Sequence, residues 1–136
     1  MQYWLVKSDP EAYGWKELLK DGKTDWTGVR NFQARNNLRD MRLGDEVLFY
    51  HSQQGREIVG IATVTKTAFA DPTAHKGEWV AVELTPQESF KTPVTLEMMK
   101  SIPELQAIGL IRQSRLSVMP ITGEEFFKIM ELARIR

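Results

Sequence analysis

The sequence contains no cysteine among its 136 residues. That excludes a disulfide framework and any zinc centre built on thiolates. Its two histidines, His51 and His75, stand far apart, which argues against an all-imidazole metal site. The 18 basic and 18 acidic side chains cancel, so no global field attracts a polyanion, and any affinity for phosphate has to come from a local cluster. Long apolar runs are missing too. "MQYWLVKSDP" breaks off at charge and Pro10, far short of a signal sequence or a membrane span. The expectation is a soluble, cytoplasmic chain with no cofactor, no metal and no membrane partner.

What is present is enough apolar residue, 42%, for one compact domain over residues 1–136 with its own core. "QYWLVK" reads as a strand closed by the turn-forming "SDP". "WKELLKD" at 15–21 predicts a short helix stopping at Gly22, and Ala34, Leu38 and Met41 recur at helical spacing behind Asn31, a candidate N-cap, in a helix ended by Gly44. "DEVLFYHS" and "EIVGIATVTKTAF" form a predicted hairpin through "QQG", with Gly60 marking a bulge or a close backbone approach. "EWVAVELTPQESF" adds a strand. "TLEMMKSIPELQAIGL" reads as one or two short helices broken at Pro103, "RLSVMP" as a short strand, and "TGEEFFKIMELARI" as a terminal helix with a Thr122/Glu125 capping box. Strands linked by turns predict an α+β fold: a small, curved, barrel-like, antiparallel-rich sheet with flanking helices.

The chemistry concentrates in "GVRNFQARNNLRDMR", residues 28–42, with four arginines, three asparagines and a glutamine. On a helix, Arg35, Arg39 and Arg42 share one stripe, which serves either as a solvated basic face or as a phosphate contact. Arg30, Asn31 and Gln33 sit at the helix start, where free backbone N–H groups favour acceptors. Asn and Gln present paired donors and acceptors, and Arg forks onto oxygens and ring nitrogens, the groups that read nucleobase edges. The alternative is that Asn31 only caps and Gln33 only meets water. Trp26 lies in the polar turn "TDWTG" just before this cluster, where an indole face can stack on a planar base. In "FYHS", Phe49 and His51 share one strand face, and Tyr50 and Ser52 the other. No nucleophile motif or paired carboxylates stand out, so no catalytic residue is assigned. An enzyme using His51 with Ser52 or Lys7 as proton-transfer groups, and a small-ligand sensor or protein-interaction module, stand as competing readings.

"YWLVKSDP", "DWTGVRNFQARNNLRDMRLGDEVLFYHS" and "RLSVMP" together resemble the EVE-domain family. The family's first motif is usually Lys-Ser-Glu-Pro, and Asp9 here shortens its carboxylate by one methylene. The resemblance implies a PUA-like fold, related to YTH and ASCH domains, enclosing a pocket for a nucleobase, with no catalytic activity of its own. The pocket groups it implies are Lys7 and Ser8, Trp26, Arg30, Asn31, Gln33 and Arg35, Tyr50, His51 and Ser52, and Arg115 and Ser117. The implied partner is DNA or RNA carrying a modified cytosine or adenine. It is expected to be single-stranded or locally opened, because a base leaving an intact stack costs a few kcal/mol. An effector protein is expected to act in trans.

Overall fold

The computed structural model describes residues 1–134. The chain runs β1 (Tyr3–Ser8), α1 (Trp15–Asp21), β2 (Thr24–Asp25), α2 (Phe32–Asp40), β3 (Glu46–His51), β4 (Glu57–Ala70) and β5 (Val80–Thr95). It continues through α3 (Leu96–Lys100), a 3-10 turn (Pro103–Leu105), α4 (Gly109–Arg112), β6 (Val118–Ile121) and α5 (Gly123–Leu132). Residue 135 of the terminal helix expected from the sequence lies outside the described residues. No helix among the described residues is long and apolar enough to cross a membrane.

Helix ends follow local chemistry. Gly22, at φ 79°, closes α1 in the left-handed conformation that costs glycine least, and its N–H donates to the Leu18 carbonyl. Asn31 caps α2 through a side-chain bond to the Ala34 N–H, and Thr122 and Glu125 form the reciprocal capping box of α5. Helix α2 stops at Met41 rather than reaching Gly44.

The six strands make one sheet in the order β2-β5-β4-β3-β1-β6. Neighbours are antiparallel except β1 and β3, which run parallel in register from Tyr3↔Glu46 to Ser8↔His51. A parallel pair needs a crossover, and here it carries α1, β2 and α2. The sequence reading missed both this pairing and β2, a two-residue strand inside what looked like a polar turn. Gly60 combines both expected roles. The β4 register shifts beside it, and a Cβ there would stand 2.3 Å from the Trp15 indole. Trp15 in turn donates through its ring nitrogen to Ser89 Oγ at 2.8 Å. One buried cluster, including Leu5, Leu38, Phe49, Ile61, Leu84, Val118 and Phe126, joins the sheet to its helices.

Candidate nucleic-acid site

Topology gathers sequence-distant motifs at one end of the sheet. Because β1 and β3 are parallel, both finish on the same side, which sets Lys7 beside Tyr50 and Ser8 beside His51. The Ser52 N–H donates to the Ser8 carbonyl at 2.9 Å, and the Lys7 N–H donates to the Ser117 carbonyl at 2.9 Å, bringing in the segment that leads to β6. The crossover adds Trp26, whose N–H donates to the Val82 carbonyl at 2.7 Å, and the chain from Trp26 to Asn31.

These segments enclose a cavity of about 430 Å³ lined by Lys7, Ser8, Asp9, Tyr13, Thr24–Asn31 and Ser117. Asp25 belongs to β2 at one edge of the sheet and Ser117 leads into β6 at the other. In a flat sheet those edges would lie about 24 Å apart. Their meeting around one small cavity shows that the sheet curls strongly, which is the barrel-like shape expected. Two further hollows adjoin. One, of about 420 Å³, shares Lys7 and Ser117 and adds Tyr50, Ser52, Gln53, Arg56 and Ser114. The other, of about 360 Å³, shares Asn31 and adds Gln33, Arg112, Gln113 and Arg115. Neither flanking hollow has a carboxylate in its wall.

Trp26 reaches the main cavity but is only 9% exposed, its ring set edge-on against Phe49 with centroids 5.5 Å apart. Tyr50, one of the pocket groups the family resemblance implied, does not line that cavity. Strand alternation turns Tyr50 to the neighbouring hollow, and Tyr13 is the tyrosine beside Trp26. Lys7 donates to the Ser114 carbonyl at 2.8 Å, and burial lowers its pKa from the ordinary lysine value. Ser8 Oγ donates to the Tyr13 carbonyl. Asn31 spends its oxygen on the α2 cap, while its amide nitrogen has no hydrogen-bond partner among the described residues and remains a donor at the cavity wall.

His51, Arg35, Gln33 and Arg115 are placed differently. His51 Nε2 accepts the Trp15 N–H at 3.0 Å, and burial depresses the imidazole pKa against the pull of Glu57 and Glu17. With that lone pair engaged in holding the start of α1, the geometry gives no support to His51 as a resting general base. Arg35 leans over the Phe32 and Trp79 rings at 5.0 and 5.6 Å, away from the main cavity. Gln33 and Arg115 line the third hollow. Among the described residues no cluster of histidine, aspartate or glutamate has the makings of a metal site.

Sequence reasoning missed Asp71. Its side chain has no exposed surface, and it accepts from the Gly28 N–H at 2.8 Å, from Arg30 Nη1 at 3.0 Å, and from the Thr73 N–H and hydroxyl. Burial alone would raise its pKa. The bonds from Thr73, Gly28 and Arg30 outweigh that and hold the carboxyl well below the usual range. Asp71 thereby pins the Gly28–Arg30 rim of the cavity to the β4–β5 connection. "DPT" in the sequence signals only an Asx-type turn, and nothing local reveals a partner 41 residues away.

Known proteins match this chain over nearly its full length. Mouse thymocyte nuclear protein 1 is 34% identical, with 96% of this chain and 73% of the relative covered. A crystal structure of a protein from Agrobacterium tumefaciens superimposes with a TM-score of 0.96 at 38% identity, covering 98% of this chain and 93% of that one. The crystal structure of human THYN1 in complex with 5-methylcytosine-containing DNA gives 0.92 at 30% identity, covering 98% of each chain. With the EVE domain model matching residues 2–132, the chain belongs to the EVE domain family.

Proposed function

We propose that this chain, acting as one EVE domain, binds nucleic acid by taking a modified, unpaired nucleobase into the cavity between Trp26 and the Lys7–Ser8 end of β1. The observation that carries this is the cavity's wall chemistry. An indole and Val29 supply apolar contact, Asp9 and Asp25 supply acceptors, and Lys7 and the Asn31 amide nitrogen supply donors. A volume near 430 Å³ falls in the range of about 300–1,000 Å³ typical of small-ligand sites. Carboxylates accept from an exocyclic amino group, so a cytosine- or adenine-type base fits better than a thymine-type one. A base methyl group would rest against Trp26 and Val29. The DNA complex of human THYN1, a relative with the same fold, supports the reading.

The carboxylate-free hollows on either side give the strand's phosphates a path past Arg56 on one flank and Arg112 and Arg115 on the other. Gln33, Tyr50, Ser52 and Ser117 would then meet sugar and phosphate, with His51 holding α1 in place. The substrate is single-stranded or locally opened DNA or RNA.

Fluorescence anisotropy with short single strands, identical but for one 5-methylcytosine or N6-methyladenine, tests this. At least one modified strand should bind several-fold more tightly than its unmodified twin, and Lys7→Met should weaken both. Equal affinity for every strand would remove the base-reading claim.

A further inference from the structure

Phe32, the first residue of α2, is 66% exposed although it follows Asn31 of the cavity wall directly. Its ring stacks on Trp79 of the β4–β5 connection, with centroids 5.1 Å apart and planes 24° from parallel. The Arg35 guanidinium stands 5.0 Å from the Phe32 centroid and 5.6 Å from that of Trp79. A guanidinium covering the outer face of Phe32 would be roughly twice as far from Trp79 as from Phe32 in such a stack. Arg35 therefore lies beside the pair, and the outer Phe32 face is open. The arrangement is held from below. Arg30 lies 5.7 Å from the Trp79 centroid while bound to Asp71 and Thr73, and Arg35 is tethered to Asn36 Oδ1 and the Glu78 carbonyl.

An open aromatic face, a second ring behind it and guanidinium groups at its edge form a stacking platform suited to a base with a phosphate attached. Among the described residues Arg35 has no carboxylate partner, and Asp71 is buried beneath Arg30. Glu78 is the acid nearby, 4.0 Å from Arg39 with its side chain 87% exposed. Asn31 and Phe32 are consecutive residues about 3.8 Å apart at Cα. A nucleotide adjacent to one held in the cavity is thus within reach of the platform.

We propose that Phe32 and Trp79 form a second base-stacking site, which takes the nucleobase next in the strand to the one in the cavity while Arg35 meets the phosphate between them. This rests on the cavity reading above, and the test separates the two. Wild type, Phe32→Ala and Phe32→Trp are titrated calorimetrically with 5-methyl-2′-deoxycytidine and with a single-stranded trinucleotide carrying 5-methylcytosine at its centre. Phe32→Ala should weaken the trinucleotide by about 5- to 160-fold, the worth of one stacked base, and leave the nucleoside unchanged. Phe32→Trp should match or exceed wild type, and abasic flanking positions should reproduce the alanine loss.

Undiminished trinucleotide affinity in Phe32→Ala overturns the platform and leaves the cavity reading standing. Dependence on Phe32 with no nucleoside binding by any variant keeps the platform and overturns the cavity. Binding of neither ligand overturns both. A concentration-dependent dimer of the wild type, lost in Phe32→Ala without change in trinucleotide affinity, assigns the face to a second copy of the chain and overturns the platform.

Discussion

Asp71 shows how one side chain can set a site it does not line. Its carboxylate neutralises Arg30 and fixes the Gly28 amide, so the rim of the cavity keeps its shape without ligand. Asp71→Asn leaves Arg30 and two amides with a poorer partner and should cost roughly 2–4 kcal/mol in denaturant unfolding at pH 7. The folded carboxyl ionises well below its unfolded value of about 4, so its contribution is complete above about pH 4 and is lost as the pH falls further. The deficit of Asp71→Asn should therefore be full at pH 5 and above and shrink at more acid pH, which urea titrations across that range would measure. A deficit that stays constant down to pH 2 would deny Asp71 its charge-based role. At this scale the sequence was legible in part. Asn31 is the cap it looked like, yet it also lines the cavity, so the cap leaves room for the proposed base-reading role in the same side chain. The burial of Trp26 was not legible, because a polar turn in sequence says nothing of the Phe49 ring that covers the indole edge.

Elements whose signals are local were readable. The ends of α1, the caps of α2 and α5 and the β3–β4 hairpin depend on residues within a few positions of one another. The parallel β1–β3 pair and the two-residue β2 depend on partners tens of residues away, and no periodicity encodes those. That pairing is what unites the Lys7–Ser8 end of β1 with the Tyr50–Ser52 segment. Gly60 links the two kinds of information. The sequence marked it as a bulge or close approach, and the structure supplies the reason in the Trp15 indole lying on its backbone. Gly60→Ala should destabilise the protein by about 1–3 kcal/mol, because the indole must move off the strand. Thermal unfolding measures the cost. The loss of the Trp15–Ser89 bond should appear as a shifted indole N–H resonance, and an unchanged melting temperature with that resonance in place would contradict the packing argument.

At the scale of the molecule, zero net charge and the proposed polyanion site are compatible because the sheet curls. It brings Lys7, Arg30, Arg56, Arg112 and Arg115 around three adjoining hollows, while most of the acidic residues lie elsewhere. The curl was anticipated from the abundance of strands and turns, but its consequence, that opposite sheet edges share one cavity, followed only from the strand order. The central claim is where the base goes. Titrating the isotope-labelled protein with a single strand carrying one 5-methylcytosine, and following backbone and indole N–H resonances, tests it most directly. The account predicts saturable shifts at the Trp26 indole, Lys7, Ser8, Gly28 and Asn31, larger than those caused by the unmodified strand. Shifts confined to surfaces away from this cavity, such as α5, with the Trp26 indole unmoved, would contradict it.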